Sequence, residues 1–365
     1  MYIVIGAGII GASIAYELAR AGTAVTVIDA GRIGGGTSSA SFAWVNSHNK
    51  APRAYHELNV AGMRAHAELR NRFEQSPWWH GGGTIEWEGS TDPGRYRQKV
   101  ALLQSSGYAA QWLDAAQVRE LEPDIDTGAI GDAPVAFFPD DGWVDPVVYS
   151  QALLAAARQH GARILPHLGV TAIRRQGTQV TGVTTADGGT LDADVVINCT
   201  GRWADQAAFP PALQIPMAPS AGLMLFTPPV ASSVQRVIFS PQVHIRPDGA
   251  GRLLICRNDL DLALTADTIP DPRWPQVAAL LQAAAIVLPV LRGVPAEALR
   301  IGVRAIPADQ FPAIGALPDT SGYYAAVTHS GVTLAPFIGA AVADEILNGV
   351  SRPELTDFRP GRFFH

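Results

Sequence analysis

The chain has 365 residues, 47% apolar and 16% charged, with 36 glycines and 27 prolines. That length holds two or three domains with a large core, and the composition excludes a disordered chain. Thirty-three acidic residues against 27 basic ones leave a formal charge of −6, so the basic footprint of a nucleic-acid binder is absent and no nucleic-acid partner is expected.

In chain order, residues 2–5 form a short apolar run that ends at Gly6. From Ile10 the apolar positions Ile14 and Leu18 recur at helical spacing until Gly22. Residues 24–28 form a second, β-branched run ending at Asp29. Strand, glycine turn, helix and strand within about thirty residues make a βαβ unit, which belongs to a parallel sheet. A small-residue loop follows at residues 34–41, then predicted helices at 55–73 and 92–106 and a turn-rich middle. Asp145-Pro146 reads as an N-cap with proline at the first helical position, and Gly161 ends that helix. Residues 162–165 read as a strand, and residues 180–185 with the Asp187-Gly188 turn as a hairpin feeding a buried strand at 195–198. From 216 to 304 the pattern changes to alternating strands around an apolar, helix-like stretch at 277–290, a second and mostly antiparallel domain. The last sixty residues return to strand, turn and helix, with Leu334, Ile338, Val342 and Ile346 four apart and Asn348-Gly349 as the stop.

Residues 320–343 are uncharged over a membrane-spanning length, yet they contain Gly322, His329, Ser330, Gly331 and Pro336, which favours a buried strand, turn and helix. Cys199 and Cys256 are the only cysteines, with no metal or redox spacing, so no metal site and a reducing compartment are expected. The first residues lack the basic start of a signal peptide, and the expected location is cytoplasmic.

The chemistry-bearing motif is Gly6-Ala7-Gly8-Ile9-Ile10-Gly11, which fits G-x-G-x-x-G between a strand and a helix. Gly6 permits the turn, Gly8 lets a diphosphate approach the backbone, and Gly11 lets helix and strand close up. Asp29, 18 residues past Gly11, is placed to accept hydrogen bonds from a ribose diol. The motif alone leaves NAD and FAD both open.

Five segments together resemble the D-amino acid oxidase superfamily of flavoproteins. They are Gly6 to Gly11, the 34–41 loop, Asn198 to Trp203, Gly302-Val303-Arg304 through Asp309, Pro312 and Gly315, and His329 to Thr333 through Pro336. The resemblance implies an α/β fold. A discontinuous Rossmann-like FAD domain (1–80, 140–215, 300–365) is joined to a mostly antiparallel substrate domain (81–139, 216–299), with the chain crossing between them more than once. It implies FAD as the cofactor, held non-covalently, because no cysteine lies near residues 305–311, where the covalent branch carries one. Thr37, Ser38, Ser39, Thr200, Gly201, Trp203, Ser330, Gly331, Val332 and Thr333 are then cofactor contacts, with Ile9, Ile10, Ala30, Arg32 and Val170 completing the set. Gly331 to Thr333 open a predicted helix whose N–H groups suit a developing negative charge.

Arg304 matches the family's substrate-carboxylate clamp, a role that a guanidinium fork fills well. His244 and Arg246 occupy a strand near the substrate, and period-two alternation places both on one face. His48 and Lys50 lie in a polar run where relatives carry basic active-site residues. The implied reaction is oxidation of the Cα–N bond of a small amino acid or N-substituted amino acid by hydride transfer to flavin N5, giving an imine that hydrolyses. A 2-hydroxy acid dehydrogenase and a subunit of a multi-chain flavoenzyme are the alternatives. Oxygen or a quinone is the expected electron acceptor. The stretch 278–290 is open to three readings: core, a homo-oligomer surface, or a peripheral membrane contact.

Overall fold

The computed structural model describes residues 1–364 apart from 90, 91, 207, 262 and 263. Its helices are α1 (Ile9–Arg20), α2 (Arg53–Arg70), α3 (Pro93–Ser105), α4 (Ala115–Leu121), α5 (Pro146–Gln159), α6 (Pro275–Val287) and α7 (Gly331–Asn348).

The opening strand Tyr2–Ile5 pairs in parallel with Val25–Ile28 on one side and Val195–Asn198 on the other. Arg163–Leu165, Tyr323–Val327 and the antiparallel Ala313–Ala316 complete a six-stranded sheet. Both faces of this sheet are covered, as parallel strands require. Val4 and Ile197 face a core built with Ile14 and Leu18 of α1, Leu153 of α5 and Ile338 of α7. Their neighbours Ile3, Ile5 and Val196 face Ile173, Val180 and Val183 of the antiparallel strands at 170–192. The apolar run at 2–5 is unbroken because each of its sides has a partner. Each such fully buried aliphatic side chain contributes about 1.5–3 kcal/mol.

The second sheet has eight strands in the order Ala298–Arg304, Ser220–Phe226, Leu253–Cys256, His244–Pro247, Val237–Phe239, Thr84–Trp87, Val135–Phe138 and Gln111–Leu113. Its pairs are antiparallel except that Val237–Phe239 runs parallel to Thr84–Trp87. Cross-strand register gives this sheet two distinct faces. Leu225, Ile255, Ile245, Ile238 and Ile85 form one row and pack in a core with α6. Met224, Cys256, His244, Phe239 and Glu86 form the adjacent row, which points the other way.

The expected boundary at 299/300 falls inside the strand Ala298–Arg304, which pairs along its whole length with Ser220–Phe226. A hydrogen-bonded strand has no break at that point, so the larger sheet extends to Arg304. The capping box at Asp114 and Gln117 that starts α4 is a D-x-x-Q pattern that the turn-rich reading of the middle overlooked. Residues 320–343 resolve as strand, turn and helix, and among the described residues no helix is long and apolar enough to cross a membrane. Helix α6 buries Val277, Leu280, Ala283, Ala284 and Val287 against the larger sheet, while Ile286 remains exposed.

Candidate functional site

A cavity of about 930 Å³ lies between the two sheets, in the size range of small-molecule and cofactor sites. Gly6, with φ at +108°, turns the chain out of the first strand, a conformation that only glycine holds without strain. A Cβ on Gly11 would stand 1.9 Å from the Gly6 carbonyl oxygen, so helix and strand close up only around glycine. Gly8 caps α1 and offers no side chain, so Ser38 Oγ takes the Ile9 N–H, and Gly8, Ile9 and Ile10 bring the helix start to the cavity wall. Gly11→Ala is therefore expected to cost about 3 kcal/mol and to strip bound cofactor. The visible absorbance retained after gel filtration, set beside a urea melt, measures both; full retention would mean the glycine is not needed for closure.

The start of α7 is open in a second way. Its N-cap Ser330 makes no capping bond, because Ser330 Oγ and Tyr55 Oη hydrogen-bond to each other at 2.5 Å. The N–H groups of Gly331 to Thr333 thus begin a helix facing the same cavity as α1. His66 of α2 holds this end by hydrogen-bonding the Val332 carbonyl through Nε2 at 2.9 Å, and burial pushes its imidazole down to about 4.

Asp29 sits at the end of its strand with Oδ2 accepting from the Ala7 N–H at 2.6 Å and Oδ1 from the Gly31 N–H at 2.7 Å. Each carboxylate oxygen keeps further acceptor capacity for a diol. Ser38 Oγ accepts from the Ile9 N–H at 3.2 Å, and Thr37 Oγ1 donates to the Val303 carbonyl at 2.7 Å, tying the 34–41 loop to α1 and to the larger sheet. That loop passes directly over Gly302, where a Cβ would lie 2.2 Å from the Ala40 carbonyl oxygen.

Gly6, Gly8, Ile9, Ile10, Asp29, Ala30, Arg32, Thr37, Ser38, Val170, Thr200, Gly201, Trp203, Ser330, Gly331, Val332 and Thr333 all line this one cavity. Gly11 and Ser39 do not. Gly11 works behind the wall as described, and Ser39 Oγ turns back to donate to the Gly35 and Gly36 carbonyls, at 3.0 Å each.

Of the residues assigned to substrate chemistry, Arg304, His244 and Lys50 line the cavity. Burial pushes the His244 imidazole down to about 4 and the Lys50 ammonium down to about 8. Arg246 shares a face with His244 but is 3% exposed and lies under the loop, not in the cavity. Its Nε donates to the Phe42 carbonyl at 2.6 Å, and its guanidinium covers Trp143 at 4.3 Å. Two residues along a strand are about 6.6 Å, enough to carry Arg246 past the cavity edge. His48 is also displaced: it is fully buried between Glu86 Oε2 at 2.7 Å from Nδ1 and Asp141 Oδ2 at 2.9 Å from Nε2.

Among the cavity residues that sequence reasoning missed are Met224, Phe239, Cys256, Asn258 and Trp44. The first three belong to one row of the larger sheet, a relation visible only once the register is known. Trp44 stacks on Phe239 at 4.8 Å, and Phe239 on His244 at 3.7 Å, forming a continuous aromatic wall.

Two uncapped helix starts, an acidic residue at the end of the second strand and a facing sheet across one elongated cavity define a dinucleotide-dependent oxidoreductase. Comparison with known proteins places it further. The family model of FAD dependent oxidoreductases (DAO) matches residues 1–345, and the chain belongs to that family and is FAD-dependent. It is 28% identical over 360 residues to glycine oxidase of Bacillus licheniformis, covering 96% of this chain and 94% of that one. It is 25% identical over 407 residues to hydrogen cyanide synthase subunit HcnC of Pseudomonas aeruginosa, covering 99% and 95%. The solved structure of L-proline dehydrogenase from P. horikoshii superposes with a TM-score of 0.87 at 21% identity, covering 99% and 97%, a likeness of fold. The α/β architecture with a doubly covered parallel sheet and a second antiparallel sheet is thus the family's.

Proposed function

We propose that this protein oxidises the Cα–N bond of a small amino acid or N-substituted amino acid, with FAD held non-covalently. The observation that carries this reading is one cavity that joins the dinucleotide-binding end, at Gly6, Gly8 and Asp29, to the guanidinium of Arg304 on the opposing sheet. The names of glycine oxidase and L-proline dehydrogenase support the amino acid class.

The residues fit the cofactor by their own geometry. The open start of α1 would hold the diphosphate, Asp29 a ribose, and the start of α7 an anionic part of the ring system. Burial pushes the Cys256 thiol up to about 12 and raises that of Cys199, so neither is an activated nucleophile, which supports a dissociable cofactor. When bound, FAD supplies a two-electron acceptor. The chain's own part is to hold the substrate carboxylate at Arg304 and to keep water off the reacting carbon with Met224, Phe239 and Trp44. His244 is uncharged at neutral pH and adds no repulsion toward an amine. The substrate must arrive as the neutral amine; no side chain need take the Cα proton.

Lys50 brings a cation to the same cavity, lowered by burial alone. Its charge is present below pH of about 8 and is lost as pH rises through that value. KM for a carboxylate substrate is expected to climb across this range in the wild type and to stay flat in Lys50→Met. An identical climb in both proteins would remove Lys50 from anion binding.

The function is tested by anaerobic visible spectra of the protein with a panel of glycine, D-amino acids, N-methyl amino acids and 2-hydroxy acids. Bleaching of the flavin band by an amino acid supports the proposal. Bleaching by a 2-hydroxy acid alone, or only after a partner chain is added, overturns it. Reoxidation by oxygen or by a soluble quinone then assigns the acceptor.

A further inference from the structure

Arg304 enters the cavity with its guanidinium already engaged. Nη1 donates to Ser220 Oγ at 2.8 Å and to the Ala221 carbonyl at 3.1 Å. Nη2 donates to Asp261 Oδ2 at 2.8 Å and to Asn258 Oδ1 at 3.3 Å. A guanidinium has five N–H groups, so these bonds occupy the four terminal ones and leave Nε–H. Asp261 is anchored in turn, its Oδ1 accepting from the Leu223 N–H at 2.9 Å. Space for the pair is reserved at Gly222, where a Cβ would stand 2.7 Å from Arg304 Nη2 and 2.9 Å from Asp261 Oδ2.

We propose that Asp261 is an internal carboxylate seated on the substrate's place at Arg304, and that a substrate carboxylate binds by displacing it from Nη2. This rests on the reading of Arg304 as the carboxylate clamp. The edge formed by Nε and Nη2 fits a planar carboxylate side-on. Only Nη2 has to change partner, while the two Nη1 bonds keep the guanidinium in place. Asp261 retains its bond to Leu223 N–H after release. The exchange swaps one carboxylate for another, so the affinity gained is the difference between two similar contacts. A ligand without a carboxylate offers Arg304 less than Asp261 already does and is turned away, which makes Asp261 a specificity-determining residue. Holding the pair closed in about nine of ten molecules raises the apparent dissociation constant roughly tenfold.

The test titrates the FAD-loaded protein with acetate, and with acetamide as the uncharged control, by calorimetry. Wild type is compared with Asp261→Asn, Asp261→Ser and Arg304→Met, with thermal melts and visible spectra verifying fold and flavin content. The expected result is acetate affinity about tenfold tighter in both Asp261 variants, no change for acetamide, and loss of acetate binding in Arg304→Met. Unchanged or weaker acetate binding in the Asp261 variants, with binding still lost in Arg304→Met, overturns the displacement and leaves Asp261 as a structural partner. Unchanged binding in Arg304→Met instead overturns the reading of the clamp itself, and the displacement with it.

Discussion

Replacing Arg304 with methionine is expected to raise KM for a carboxylate substrate by about 100-fold, the cost of removing one member of a desolvated charge pair. FAD content is expected to hold, since the diphosphate and ribose contacts come from the other sheet. The substitution also leaves Asp261, 10% exposed at its side chain, without its cation, so some stability is lost alongside affinity. The two effects separate in the measurements: steady-state kinetics reads the clamp, and a thermal melt reads the ion pair. A fall in melting temperature with KM unchanged would make the Arg304–Asp261 pair purely structural.

His48→Ala is expected to destabilise the fold by about 3–5 kcal/mol, because it strips a cation from between two buried carboxylates. His48 and Glu86 are both fully buried, and Lys99 completes the charge balance at 2.8 Å from Glu86. The His48 ring also stacks on Phe138 at 4.2 Å and meets the edge of Trp44 at 4.6 Å. Trp44 Nε1 in turn donates to Thr84 Oγ1 at 2.9 Å and Asp141 Oδ2 at 3.2 Å, so the network backs the cavity wall without entering the cavity. The carboxylates of Glu86 and Asp141 raise the His48 imidazole to about 9 against the opposing effect of burial, and His48 and Lys99 lower Glu86 to about 2 in the same way. The histidine's contribution is therefore complete below its ordinary value near 6.5 and is lost as pH rises through about 9. That of Glu86 is complete above about 4.5 and is lost as pH falls through about 2. Urea unfolding across this range should show an alkaline decline in the wild type that is missing in His48→Ala. An equal decline in both would place the titration elsewhere.

The local motifs were legible because their geometry closes over a few residues. Gly6 to Gly11 specify a turn and a helix start within one βαβ unit, and Asp29 follows at the end of the very next strand. The start of α7 is marked by a glycine turn and a four-residue apolar spacing. Each of these needs only backbone sterics and helical or strand period to be placed, and Gly6, Gly8, Asp29 and Gly331 line the cavity. Two sequence expectations failed where the outcome depended on distant partners. Within the run from Asn46 to Lys50, nothing local separates His48, which turns toward Glu86, from Lys50, which turns toward the cavity. Between His244 and Arg246 the shared face is legible, but where the cavity ends along that strand is set by the loop at Phe42.

Arg304 and Asp261 show the same division most clearly. The G-x-R segment marks the arginine, but its carboxylate partner lies 43 residues earlier, in a single 3-10 turn, Asn258–Asp261, too short to show a periodic pattern. The row of Met224, Cys256, His244, Phe239 and Glu86 is drawn from five separate strands whose order is not their order in the chain. By itself the sequence determined the dinucleotide-binding half, because strand, glycine turn and helix are specified by short-range sterics and periodicity. The substrate wall was decided only by tertiary structure, because cross-strand neighbours depend on which distant strands pair and in what register.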